Sequence, residues 1–286
     1  MASLRQIRQR MKSIKNIHEI TKAMEMIAAF RFKKAEGRFS KSKNYLSEME
    51  KLVANLSGAA ANLSDPLFEK RVVKKKALVV LTGDKGLCGA YNTNLVKAAN
   101  LWLKDNQGFE TFLIPAGKVG FEFFRKKHVP MLGDYPEKAM ADLALAKKIT
   151  AELIQHFLSG KADEISILYT QYKAGGAGST RVHPFLSLQY LAASKNEVKN
   201  PVEYLYEPDF ESVFSNLLGR YLEGKIYLVL LESLTSEYSA RMMAMKQATE
   251  NGEEVLDSLK LLKNKTRQAT ITRELSEIVS GASILV

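Results

Sequence analysis

Apolar residues at the start of the chain recur at Leu4, Ile7, Met11, Ile14, Ile17, Ile20, Met24 and Ile27. Steps of three and four place such positions on one side of a helix. The succession Ile14, Ile17, Ile20 inserts an extra three-residue step, a stammer that alters supercoiling without ending the helix. Ser3 offers an N-cap oxygen, and the breakers Ser57-Gly58, Asn62 and Ser64-Asp65-Pro66 end the pattern after about Leu56. The far end of the chain behaves in the same way. Leu234, Tyr238, Met242, Met245, Thr249, Gly252, Leu256, Leu259 and Leu262 share one helical side, and no proline follows Pro208. Two long helices with narrow seams bury them most simply against each other, so the pattern predicts a terminal helical hairpin. Met24, Met26, Met242, Met243 and Met245 fall where the seams would meet, as core filler or as a sliding surface.

The middle has a different period. Ala77 to Thr82, Thr111 to Pro115 and Glu164 to Tyr169 are short apolar runs of the kind that form buried strands. Helical patterns separate them at Asn92 to Lys104, Lys118 to Lys127 and Ala139 to Leu158. That alternation predicts an α/β domain with a mostly parallel sheet covered on both faces. Ala174 to Ser179 reads as a loop, Val182 to Leu191 and Val202 to Tyr206 as further strands, and Ser194 to Asn200 as a polar connection. Asp209 is positioned to cap a helix that runs from Phe210 towards the C-terminus, with Gly219, Gly224, Gly252 and Gly281 as its soft points. The expected division is residues 1–57 as an N-terminal coiled-coil helix, 72–208 as a Rossmann-like α/β domain and 209–286 as a C-terminal coiled-coil helix.

Charge changes this picture at one end only. The formal net charge is +11, and residues 1–76 carry 18 Lys and Arg against 7 Asp and Glu, so the remainder is balanced. A basic helix suits an acidic partner, a nucleic acid or an anionic lipid surface, or is simply a solvated face. The longest apolar run, Ile226 to Leu231, is far too short for a bilayer span. Polar residues interrupt every candidate apolar core near the N-terminus, which argues against a secretory leader; its amphipathic Arg-rich start would suit a transit peptide, but the seam continues into the long helix. A single cysteine, Cys88, excludes an intramolecular disulfide and suits a reducing compartment.

Candidate chemistry is sparse. The turn Gly83-Asp84-Lys85-Gly86-Leu87-Cys88-Gly89 follows a strand and precedes a helix, where free N–H groups attract anions. Its glycine spacing matches neither a dinucleotide fingerprint nor a Walker loop, and a tight strand-to-helix turn accounts for it. The run Gly175 to Thr180 has no strand leading directly into it and no lysine after its last glycine. His18, His128, His156 and His183 stand too far apart for metal-ligand spacing, no nucleophile elbow occurs, and no cofactor is expected.

Several motifs then become specific together. Ile20-Thr21-Lys22-Ala23-Met24-Glu25-Met26-Ile27, Asp84 to Gly89, Tyr204 to Asp209, Ala240 to Lys246 and Arg267 to Ala282 resemble, in this order, the gamma subunit family of bacterial F-type ATP synthases. The resemblance spans nearly the whole chain. It implies a central rotor shaft of two antiparallel helices inside a ring of alpha and beta subunits, with a Rossmann-like foot near the epsilon subunit and the membrane c-ring. It further implies a non-catalytic, peripheral subunit on the cytoplasmic face of a bacterial cell membrane, with no nucleic acid as partner. By similarity, Arg267, Gln268 and Thr272 fall where the shaft touches catalytic-subunit loops, and Met24 and Arg241 where it passes the acidic lever of beta. Tyr206 and Glu207 fall near the foot that meets the c-ring or epsilon. Two positions depart from the family pattern: Lys85 stands for the usual arginine of the glycine turn, and Lys263 for an aromatic before Asn264. Because Lys and Arg differ in bidentate pairing, a specific ion pair from Lys85 does not carry over. The competing class, judged on residues alone, is a basic coiled-coil protein that binds nucleic acid, and an enzyme built on the α/β middle is third.

Overall fold

The computed structural model describes residues 3–59, 66–68, 71–135, 141–173, 178–186, 206–207 and 209–282. The chain divides into two compact units, one formed by residues 1–29 with 241–286 and the other by residues 30–240. Helix α1 spans Leu4–Ala59 and helix α5 spans Phe210–Ala282, so each contributes to both units.

The second unit holds the sheet. Strands β1 (Lys75–Leu81), β2 (Glu110–Ala116), β3 (Glu164–Gln171) and β4 (Ser179–Leu186) lie in the order β2-β1-β3-β4. The first three pair in parallel and β4 is antiparallel to β3, with a register shift at Ile165/Ser166. Between them come α2 (Tyr91–Asp105), α3 (Lys118–Lys126) and α4 (Leu143–Leu158). Strand β1 is apolar at every position from Ala77 to Leu81 because both of its faces are covered. Leu78 and Val80 face a core shared with Leu95 of α2 and Phe124 of α3. Ala77, Val79 and Leu81 face a larger core shared with Leu153 of α4, Val53 of α1 and Leu230 of α5. Adjacent residues of one strand thus enter opposite cores.

Several expected boundaries move, most by a residue or two and the start of α4 by four. The first strand begins at Lys75 rather than Ala77, and α4 at Leu143, where Asp142 accepts the Leu145 N–H at 2.8 Å. Residues Ala139 and Met140 lie outside the described residues. So do most of the loop expected from Ala174, the end of the strand expected to Leu191, the polar connection and residues 202–205; Ser179 belongs to β4, and Tyr206 lies in no strand. The expected cap at Asp209 is present: its carboxylate accepts the Ser212 N–H at 2.8 Å. Ser3 caps α1 in a reciprocal capping box, its Oγ accepting from Gln6 N–H at 3.3 Å while Gln6 Oε1 accepts from Ser3 N–H at 2.9 Å.

In the first unit the seam of α1 departs from expectation. The covered row runs Leu4, Ile7, Met11, Ile14, His18, Thr21, Glu25, Ala28, a regular alternation of three and four with no stammer. Ile17, Ile20 and Ile27 are 51%, 55% and 55% exposed, and Met24 is exposed too. On α5 the covered row is Met242, Met245, Thr249, Gly252, Leu256, Leu259, Lys263, Thr266, Thr270, so Lys263 replaces the expected Leu262. Thr249 Oγ1 lies 3.1 Å from Thr21 Oγ1, and a Cβ on Gly252 would lie 3.6 Å from His18 Cβ. As one chain advances three residues the other retreats three, which makes this pair antiparallel. The physical reason for the shifted row is size: Gly252 and Thr249 permit a close approach that a continuous heptad keeps in phase, whereas the stammer would require local overwinding. The methionines are not a joint core, since Met245 alone among them is buried.

Candidate functional site

The groups in the second unit that most constrain what this chain can do lie on α5 between Lys225 and Glu237. Apolar positions of that stretch enter the large core, yet Lys225, Glu232, Ser233, Ser236 and Glu237 are buried as well. Buried polar groups have to find partners or they cost free energy. Here they find the strand ends. Ser236 Oγ donates to the Thr170 carbonyl at 2.9 Å, and Glu232 Oε1 accepts the Tyr172 N–H at 3.1 Å. The Tyr91 hydroxyl lies 2.8 Å from Ser233 Oγ. A polar ridge of the long helix is therefore bolted to β3, to the residue after it and to the start of α2.

Gly83 shows how tightly the ridge fits. A Cβ there would lie 2.9 Å from Cδ of Glu237, so the glycine turn is closed by the chain's own carboxylate. The Glu237 carboxyl thus occupies the space beside Gly83 at the strand end of the turn. Leu87, at the tip of the same turn, takes a left-handed φ of 61° and is exposed. Gly117 has φ 109°, and a Cβ on it would lie 2.2 Å from the Thr82 carbonyl oxygen. Only glycine fits there. Thr82 in turn accepts the Gly120 N–H at 2.9 Å, which ties the end of β1 to the start of α3.

Burial shapes the titrations around the ridge. It pushes Glu232 up from the usual carboxylate range, against the Tyr172 N–H, the Lys43 cation, the Tyr169 hydroxyl and Arg181. Tyr169 is pushed up to about 12 by burial and by the Glu232 charge. Tyr172 reaches about 12 for a related reason, burial plus its hydrogen bond to Glu36 Oε1 at 2.7 Å. The Lys225 ammonium is lowered to about 8 by burial, with the Glu50 carboxylate opposing. It donates to the Tyr221 hydroxyl at 3.3 Å, and that hydroxyl donates to Glu50 Oε1 at 3.2 Å. His183 is lowered first by burial and then by Lys225. These groups form structural networks that tie α5 to α1 and to the sheet.

The residues singled out from sequence fall in separate places. Met24 belongs to the exposed row of α1, and Arg241 is half-buried on α5 in the same unit. Arg267, Gln268 and Thr272 are exposed on α5, and Thr272 Oγ1 donates to the Gln268 carbonyl at 3.0 Å, so two of the three share one helical stripe. Beside them Ile271, Leu275, Ile278 and Val279 are exposed as well. In the other unit Tyr206 is half-buried, its ring centroid 4.9 Å from that of Phe210, and Glu207 is exposed. The polar ridge went unread in the sequence. Its signal was present in Glu232-Ser233 and Thr235-Ser236-Glu237, polar pairs set among Leu230, Leu231 and Leu234 where a one-sided helix would have polar residues on its outer face only.

No described helix is long and apolar enough to cross a membrane. The family described as ATP synthase matches residues 3–285. The ATP synthase gamma chain of Protochlamydia amoebophila is 37% identical over 285 residues, 99% of each chain. The chain belongs to the ATP synthase gamma-chain family. A second relative, the ATP synthase gamma chain of Moorella thermoacetica, is 36% identical over the full length of both chains. The fold agrees with a chain in the cryo-EM structure of Euglena gracilis mitochondrial ATP synthase, OSCP/F1/c-ring, rotational state 3. That likeness has a TM-score of 0.68 at 16% identity, covering 99% of this chain and 94% of the other.

Proposed function

We propose that the chain works as the central-stalk rotor of an F-type ATP synthase, coupling ion-driven c-ring rotation to conformational change at catalytic sites on an alpha/beta ring. Family membership over nearly the entire chain carries the reading. The exposed row Ile17, Ile20, Met24, Ile27 supports it, because apolar side chains left outside a helix pair call for an external partner. The tip of α5 supports it in the same way, with Arg267, Gln268 and Thr272 presenting hydrogen-bonding groups among exposed aliphatic ones. In this reading those three contact the catalytic-subunit loops, and Met24 and Arg241 pass the acidic lever of beta. Glu207 offers its exposed carboxylate to the c-ring or epsilon, while Tyr206 anchors the same segment on Phe210.

The subunit itself performs no bond chemistry. An asymmetric shaft turning inside a near-symmetric ring offers each site a different face and so shifts its open and closed populations. Taking one site from 1:99 to 99:1 needs about 5.5 kcal/mol of differential interaction, and two to four charged hydrogen bonds at about 1.5 to 3 kcal/mol each are sufficient. The same reading puts the chain peripherally on the cytoplasmic face of a bacterial cell membrane. The experiment is reconstitution with alpha and beta subunits and the membrane sector. Arg267→Ala with Gln268→Ala lowers ion-driven ATP synthesis while the chain's own urea midpoint stays unchanged. Purified chain that hydrolyses ATP alone, or a double variant with full coupling, would sink the proposal.

A further inference from the structure

In the unit formed by residues 30–240, helices α1, α4 and α5 leave a cavity of about 520 Å³ between them. Lys41 and Tyr45 of α1, Lys147 of α4, and Arg220, Glu223 and Tyr227 of α5 wall it. The volume lies in the range of roughly 300 to 1,000 Å³ typical of small-molecule sites. Its charge is unbalanced. Glu223, the sole carboxylate in the wall, is paired with Lys147 at 3.9 Å, and among the described residues Lys41 and Arg220 make no ion pair. Two lysine or arginine side chains without an ion-pair partner among the described residues thus line one hollow.

The aromatic part of the wall is held in place. Arg38 donates to the Tyr227 hydroxyl at 3.0 Å and to the Ala141 carbonyl at 2.7 Å, with its guanidinium 5.9 Å from the Tyr227 ring centroid. Gly224 lets α1 and α5 close the floor, since a Cβ there would lie 3.2 Å from Leu46 Cδ1. Tyr45 remains 61% exposed beside the cations. An exposed ring stacks on a flat base, and lysine and arginine bind phosphate by charge-assisted hydrogen bonds.

We infer that this cavity binds a nucleoside phosphate, its phosphates on Lys41 and Arg220 and its base against the tyrosine rings. The site is separate from the glycine turn that Glu237 closes, and its failure would leave the rotor reading untouched. Calorimetric titration of the full chain with ADP, and separately with inorganic pyrophosphate, tests it. Lys41→Ala with Arg220→Ala weakens ADP binding about tenfold or more, as loss of charged hydrogen bonds requires. Tyr45→Ala weakens ADP by about threefold and leaves pyrophosphate unchanged, because stacking acts on the base alone. Arg8→Ala with Arg10→Ala, on the basic helix of the other unit, changes neither, and circular dichroism checks that each variant is folded. Absence of saturable ADP binding at millimolar concentration overturns the inference. So does equal loss from the Arg8 and Arg10 pair, which would mean diffuse charge, and so does pyrophosphate binding as tightly as ADP, which would leave the rings no role.

Discussion

The two units solve the burial problem in opposite ways. In residues 30–240 both faces of the sheet are covered, and the polar ridge of α5 finds strand-end partners at the Thr170 carbonyl and the Tyr172 N–H and a contact at Gly83. The helix pair of residues 1–29 and 241–286 half-buries a row containing His18, Thr21, Glu25, Thr249 and Gly252 and leaves isoleucines outside. A fold optimised only for its own stability would reverse the second choice, since full burial of an isoleucine is worth about 1.5 to 3 kcal/mol. The difference teaches that the sheet is held by apolar cores on both of its faces, whereas the helix pair is held by small and polar seam residues with an apolar row left outside.

The sharpest way to break the comparison is at Gly117. Gly117→Ala places a Cβ 2.2 Å from the Thr82 carbonyl at φ 109°, so the end of β1 has to move. The cost is expected at about 4 kcal/mol or more, read as a fall in the urea midpoint of the sheet unit. A neutral outcome would mean that the turn is far softer than its packing implies. The next effect contrasts two isoleucines of one helix. Ile7, 3% exposed, should cost about 2 to 4 kcal/mol on replacement by alanine, whereas Ile20→Ala should stay within about 0.5 kcal/mol in the isolated chain. Equal losses would show that the row of Ile20 is covered after all.

Lys225 supplies a smaller effect with a pH signature. Its pKa falls from the ordinary 10.5 to about 8 in the folded protein, so between those values the unfolded chain holds more protons and stability rises with pH. Below about pH 8 the folded state carries the full desolvation cost of the cation, roughly 3 kcal/mol at 1.36 per unit. Lys225→Met removes that cost, and the Tyr221 hydroxyl keeps its bond to the exposed Glu50. The variant should be more stable at pH 7 by about 1 to 3 kcal/mol, with the gain shrinking by pH 10. A destabilised variant at pH 7 would mean that the ammonium is well paired where it sits.

Much of this architecture was legible in the residues. Ala77 to Leu81 reads as a strand buried on both faces because only such a strand is apolar at consecutive positions, and Asp209 announces its helix by capping chemistry. The phase of the α1 seam was not legible beyond Ile14. Two rows of equal period, Ile17-Ile20-Met24-Ile27 and His18-Thr21-Glu25-Ala28, are offset by one residue. What selects between them is the size of Thr249 and Gly252 on a helix more than 200 residues away. Apolar periodicity identified the more hydrophobic row, which turned out to be the one left exposed. The residues matched by resemblance, Arg267, Gln268 and Thr272, carry no local signal of their own beyond polarity where the seam thins.

The smallest effect tests whether polarity in that seam is tolerated or required. Thr249 Oγ1 sits 2.9 Å from the Met245 carbonyl and 3.1 Å from Thr21 Oγ1, while Thr21 donates to the His18 carbonyl at 3.0 Å. Thr21 keeps its own bond to the His18 carbonyl, and the Met245 carbonyl belongs to the helical backbone, so losing the Thr249 hydroxyl strands no buried donor. Thr249→Val keeps the shape, removes one cross-helix bond and adds a methyl to the seam, and these terms oppose each other. A net change of about 1 kcal/mol or less is expected in the urea midpoint of the helix-pair unit, with the antiparallel register unchanged by cysteine cross-linking between positions 18 and 252, where a Cβ on Gly252 would lie 3.6 Å from His18 Cβ. A register shift in the variant would show that this single hydroxyl pair holds the helices in phase, and that the isoleucine row stays outside for want of an alternative alignment.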